Sequence, residues 1–378
     1  MLESMNKKTI VIIGSSIIGL IVFLLIVVWL ISIIKPHYYT YEEFETKVSE
    51  AAKSYYKNNP TALPSTDGEY NMSYNTLVEG EYVKPLNEML KDGDNCTVQI
   101  LVTKYSDNYS YIPYLNCPGS YETKELYKVI SENNPVVEKG SGLYSNGNGE
   151  YYFRGEITNN YVQLGTYGES KKDQKPYLWQ ILGIESDGSV KIRSTVGTTK
   201  RYAWDDRYNE EKHSSYGYND FELSRLKETL ISLASGNEIL SDTYKNKLVA
   251  KELCIGKRKA DDTTKDGSTE CSIKSESKYL FGALTPYEVM RISLDDNCKV
   301  ANSLSCSNYN FLSTKLNSVE WSITGLDGTT DSSFYIKNGS LTASKNNTQR
   351  KLYVVAYINK RTFYKSGTGT SADPYIIR

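Results

Sequence analysis

Two histidines in 378 residues leave little room for the commonest catalytic base. Most nucleophile–base arrangements set a His beside a Ser or Cys. Here His37 adjoins an apolar run, and His213 sits in a polar stretch rich in Tyr and Ser that reads as a solvated loop. The chain also lacks a P-loop, a dinucleotide fingerprint and a zincin helix, which removes those reaction classes. No sign of charge dominates: 44 Lys and Arg face 45 Asp and Glu, for a formal net charge of −1. With no basic stripe interleaved with aromatics, nucleic acid is not an expected partner. The six cysteines include no C-x-x-C pair, so they do not read as a zinc cluster.

What the chain does have is one long uncharged stretch, Ile10 to Ile34, built almost wholly from Ile, Leu, Val and Phe. As a helix it is about 37 Å long, enough to cross a hydrocarbon core of about 30 Å with some tilt. A cleaved signal peptide fits less well, because its apolar region is shorter and a small-residue cleavage site would follow. Lys7 and Lys8 on one flank and Lys35, Lys47 and Lys53 on the other leave the orientation open on charge alone. Cysteine decides it. Cys96, Cys117, Cys254, Cys271, Cys298 and Cys306 all follow the apolar run, and an even set of this kind reads as an oxidised framework outside the cell. The expectation is a single-pass cell-membrane protein: a cytoplasmic tail at 1–9, a membrane helix at 10–34, and the rest extracellular. The membrane is its first partner, and no other anchor is expected.

Beyond the membrane, Thr40 and Glu43 form a capping box, and Phe44, Val48, Ala51, Ala52 and Tyr55 recur at helical spacing. The expected helix runs from Tyr41 to about Lys57, and Pro60 ends it. Thr97 to Thr103 and Tyr109 to Leu115 read as an antiparallel strand pair that would bring Cys96 to Cys117. Closing that loop would stabilise the fold by roughly 3 kcal/mol. These elements make a small α+β domain at 35–125, followed by a polar, glycine-rich linker at 126–149. A larger β-rich α+β domain then fills 150–378. It has a hairpin around Asp187 and Gly188, a helix from about Asp220 to Ala234 carrying Leu223, Leu226, Leu230 and Leu233, and a Thr285–Glu288 capping box with Pro286 at the first helical position. Strands follow, with a type I′ turn at Asn338-Gly339. Cys254–Cys271 and Cys298–Cys306 are the expected further bridges by proximity, among the fifteen pairings that six cysteines allow.

Acidic pairs supply the candidate cation ligands. Asp295 and Asp296, beside Cys298, are the best placed; Ca²⁺ is the ion such oxygens would take, though no EF-hand spacing exists. No cofactor is otherwise expected. Carboxylate pairs of the glycosidase kind are set by separation in space, so only a structure can find them. Trp179 and Trp321 lie inside strands and read as core. Trp204, flanked by Tyr202 and Asp205 in a loop, is the candidate platform for stacking on a sugar. Thirty-three tyrosines against eight phenylalanines suit either a β-rich surface protein or a recognition surface.

The order of motifs from about Gly140 to Arg378 resembles a family of membrane-anchored surface proteins of gut Firmicutes. It begins with Ser141-Gly-Leu-Tyr144, then Tyr152, Gly155, Tyr161 and the Trp179-to-Gly188 segment with Lys191-Ile192. Phe281 through Glu288, the Cys298 and Cys306 pair, Trp321-Ser-Ile-Thr and Asn338-Gly-Ser-Leu follow in the same order. Gly367-Thr-Gly-Thr with Asp373-Pro-Tyr375 closes it and is its most specific part. The resemblance implies location and domain identity, with an architecture similar to mixed α/β modules of the C-type-lectin or sulfatase-modifying kind. Residues Thr40 to Thr123 resemble the head of a pilin-like protein, without the processing site that precedes a pilin's apolar segment. Three functions follow as expectations: a non-enzymatic adhesive module that binds a carbohydrate or protein ligand, a minor pilin-like envelope component, and an extracellular hydrolase using Asp or Glu.

Overall fold

A computed structural model describes residues 21–26, 38–167, 174–298, 309–312 and 319–378. Most of the expected membrane segment therefore lies outside the described residues. Its described part, 21–26, is helical, and its apolar side chains are exposed. Among the described residues no helix is long and apolar enough to cross a membrane.

The chain divides into two compact units, Met1–Thr123 and Lys124–Arg378. In the first, helix α1 (Tyr41–Asn58) begins with the expected capping box, in which Thr40 accepts from the Glu43 backbone and Glu43 reaches back to the Thr40 backbone. Its apolar face buries Phe44, Val48 and Ala52 against an antiparallel sheet of four strands in chain order: β1 (Gly68–Ser73), β2 (Thr97–Tyr105), β3 (Asn108–Cys117) and β4 (Tyr121–Glu122). Alternation along β2 and β3 places Ile100, Val102 and Leu115 in that core. Thr97 pairs with Asn116 in the β2–β3 register, so the flanking cysteines meet and Cys96–Cys117 is a disulfide.

The second unit is mixed α+β and sheet-rich. Residues 126–149, read from sequence as a linker, instead supply helix α2 (Leu126–Asn133) and strand β5 (Gly142–Ser145). Leu126, Val129, Ile130 and Leu143 are buried in the main core, so the glycines there mark turns between packed elements. An eight-stranded sheet forms the frame. It contains β5, β6 (Tyr151–Arg154), β7 (Tyr161–Tyr167), β8 (Lys175–Ile184), β9 (Val190–Ser194) and three late strands. Helix α3 (Arg225–Ser235) covers part of the core, and β10 (Lys251–Cys254) pairs with β11 (Lys274–Tyr279) beside it. After the short helix α4 (Pro286–Arg291), strands β12 (Val319–Gly325), β13 (Ser332–Lys337) and β14 (Ser340–Lys345) form their own meander, turned at Asn338 and Gly339 with φ of 50° and 79°. The chain then returns to the large sheet as β15 (Val355–Ile358), β16 (Tyr364–Ser366) and β17 (Tyr375–Ile377).

Leu223 departs from the expected α3 face. Ser224 caps the helix after it, which leaves Leu223 in the preceding turn and exposed. The closing motif is a structural staple. Asp373 receives the Thr368 backbone N–H at 2.9 Å and holds the turn in which Gly369 donates to the Asp373 carbonyl at 3.0 Å. Both glycines have positive φ, and a Cβ at Gly367 would overlap the Pro374 carbonyl. The staple seats β17 parallel to β7, with Tyr375 fully buried.

Candidate functional site

Along β9 every residue is buried, although the strand alternates between aliphatic and cationic side chains. Val190 and Ile192 enter the main core, while Lys191 and Arg193 point to the opposite face and meet buried acids. Arg193 pairs with Glu320 and lies 4.5 Å from the Tyr353 ring centre, an enclosed arrangement that ties β9 to β12. Lys191 faces a cleft.

That cleft has a volume of about 570 Å³ and is lined from the β8–β9 turn, β10, α4, β15 and the residue preceding β6. The β8–β9 turn supplies Glu185 and Asp187. It is closed by bonds from the Glu185 backbone N–H to the Ser189 carbonyl and from Gly188 to the Glu185 carbonyl. Helix α4 supplies Tyr287, Glu288 and Arg291, and its start is fixed twice. Thr285 and Glu288 form the capping box, and the fully buried Glu270, clamped by Arg258 at 2.9 Å, accepts the Tyr287 N–H at 3.0 Å. The Cys254–Cys271 disulfide ties β10 to the turn that carries Glu270, and both cysteines line the cleft. A covalent link, a buried ion pair and a helix cap thus hold one wall.

Three of the inner acids have cations. Glu150 bonds Arg291 at 3.0 Å, Asp187 meets Lys251, and Glu288 meets Lys191. Burial opposes the charge on Glu288, but Lys191 outweighs it and holds the carboxyl below its usual range; the same contact keeps the Lys191 ammonium well above its own. Asp187 sits at about 2, because hydrogen bonds from Lys251 and Ser189 outweigh partial burial. Glu185 differs. Among the described residues its carboxylate has no ion pair or hydrogen bond, and burial, with Glu150 and Glu288 nearby, pushes its pKa up despite Lys191. Tyrosine rings complete the walls: Lys191 and Lys251 lie 5.1 and 5.8 Å from the Tyr357 ring centre, and Arg291 lies 5.1 Å from that of Tyr287.

Trp204, Tyr202, Asp205, Asp295 and Asp296, the leading ligand and cation candidates from sequence, all lie outside this cleft. Trp204 is fully buried, and its indole donates to the Ser322 carbonyl at 3.0 Å, so it cannot serve as an open stacking platform. Tyr202 exchanges backbone bonds with Arg350 and receives the Trp321 indole N–H at 2.9 Å. Asp205 is fully buried as a local hub, accepting from Arg207 at 2.9 Å and from the Tyr218 N–H at 2.7 Å. Asp295 caps its own turn by accepting the Asn297 N–H at 2.8 Å, and Asp296 is exposed. Among the described residues the one cluster with metal-ligand spacing is Asp92 with Cys96 and Cys117, and those two sulfurs are already bonded to each other. Cys298 is also oxidised, and Cys306 lies outside the described residues. Trp179 and Trp321 are core residues. The cleft residues had left a trace in the sequence. Asp187, Lys191 and Glu288 all fall within the motifs that carry the family resemblance, but nothing in their spacing joins them.

No protein-family model matches the chain, and no solved structure matches it. A β-galactosidase of Thermoanaerobacter pseudethanolicus is 39% identical over 56 residues, 15% of this chain. The chain spans 7% of that relative's length.

Proposed function

We propose that this chain is a single-pass surface protein, anchored by the apolar segment at 10–34 with its amino terminus cytoplasmic. Its Lys124–Arg378 unit is then an extracellular, non-enzymatic module that holds a polar ligand in the Glu185 cleft. The cleft carries this reading: it is the size of a small-ligand site and is walled by fixed charges and tyrosine rings. Glu185, half-buried in its wall, has no ion pair or hydrogen bond among the described residues and is open to a ligand. The disulfides suit an oxidising compartment, and the exposed apolar side chains of residues 21–26 suit a lipid surrounding. The resemblance to Firmicutes surface proteins supports the same location.

Glycan and peptide arrays probed with the full chain in detergent, with and without Ca²⁺, test the binding reading. Retention on a defined set, lost when Arg291 is replaced by Ala, is the expected result. Absence of binding on both arrays contradicts it. Carboxylate-dependent hydrolysis is a second reading, favoured by one observation: Glu185 is pushed up and Asp187 down within one cleft, the split that separates an acid from a base. Turnover of aryl glycosides that disappears in Glu185→Gln would replace the first reading by this one.

A further inference from the structure

Resting on the binding reading above, we infer that the ligand presents a primary ammonium group and that Glu185 is its anchor. The charges lining the cleft carry the argument. Glu150, Asp187 and Glu288 each have a cation of their own in Arg291, Lys251 and Lys191. At the rim, Glu252 and Asp266 are exposed to solvent, and Lys274 and Lys278 line the same cleft. Six lining carboxylates against five cations leave the cleft with one negative charge in excess, and of the carboxylates without a cation Glu185 alone is half-buried.

A metal ion is a poor candidate for that place. Among the described residues no three His, Cys, Asp or Glu donors converge there. A neutral hydroxyl would hydrogen-bond Glu185 without compensating its charge. An ammonium group does both, and a charge-assisted bond is stronger than a neutral one. The walls suit a cation too, since Tyr357 and Tyr287 already hold Lys and Arg groups against their rings. A cleft of about 570 Å³ admits an amino sugar with a neighbouring residue, or a lysine side chain with its flanking backbone.

Titration calorimetry on the full chain in detergent tests this with paired probes. Chitosan trisaccharide is compared with its N-acetylated form, and Nα-acetyl-lysine amide with its Nε-acetylated form. The expected result is binding of a free-amine probe that weakens at least about tenfold on acetylation and again in Glu185→Gln. The arm that binds identifies the source as amino sugar or lysine. A thermal melt first establishes that Glu185→Gln folds. Equal binding of the amine probe to the wild type and Glu185→Gln overturns the inference, as does equal binding of the acetylated probe. Array binding that needs Arg291, with no affinity for either amine, overturns the inference alone. No binding to arrays or amines overturns the binding reading with it.

Discussion

Lys191 and Glu288 meet at the inner wall of the cleft, 8% and 4% exposed, one from strand β9 and the other from the first turn of helix α4. The same carboxylate caps that helix through Thr285. A single ion pair therefore fixes the sheet, the helix and the cleft wall together. Replacing Lys191 by Met leaves the Glu288 carboxylate buried without its cation, a change that costs about 3–5 kcal/mol. Urea denaturation at neutral pH measures it. Because Glu288 titrates below 4.5 in the folded chain, its contribution is present above that pH and lost as pH falls through the folded value. The acid limb of the stability profile should accordingly be steeper in the wild type than in Lys191→Met.

Glu185 has the opposite sign. Its folded pKa is raised above 4.5, so the unfolded chain releases this proton first as pH rises. The native state then binds more protons, and stability falls as pH climbs through the folded value. Gln carries no such penalty. Glu185→Gln should melt higher than the wild type at pH 7 while binding less, and the two should converge below pH 4.5. A variant that melts lower at pH 7 would show that the carboxylate is satisfied in the fold.

The two described disulfides should separate in their effects. Cys254–Cys271 closes 17 residues and Cys96–Cys117 closes 21, each worth about 3 kcal/mol on the chain-entropy account. Only the first supports the turn whose Glu270 accepts the Tyr287 N–H at the start of α4. Ser replacement of Cys254 and Cys271 should reduce array binding along with stability. The same change at Cys96 and Cys117 should lower stability and spare binding.

Trp204 offers a control. With its indole enclosed and bonded to Ser322, Trp204→Ala should cost about 3–5 kcal/mol through the cavity it leaves. Trp204→Phe, where the variant remains folded, should bind the same ligands as the wild type. A changed ligand profile in Trp204→Phe would return the aromatic to the binding surface.

Local rules carried the sequence reading a long way. The Thr40 and Thr285 capping boxes, the β2–β3 pair that closes Cys96 on Cys117, and the Asn338-Gly339 turn depend on neighbours within a few residues or on one hairpin, and each is present. The cleft is different. Glu150 and Glu185 precede Glu288 and Arg291 by more than 100 residues, and only the sheet order brings them together. The aromatic at 204 misled for a related reason. A Trp between Tyr202 and Asp205 looks open in a sequence without regular pattern, yet backbone bonds to Asn346 draw that segment into the core. The polar stretch at 126–149 looked like a linker because its glycines are visible in sequence and the partners of Leu126, Ile130 and Leu143 are not.

Hydrogen–deuterium exchange on the full chain, with and without the ligand that arrays retain best, tests most directly whether the Glu185 cleft is the working site. The account predicts slowed exchange in 184–191, 250–254 and 282–291, and no slowing in Glu185→Gln at the same ligand concentration. Unchanged exchange in those three segments, with protection appearing elsewhere in the chain, would contradict it.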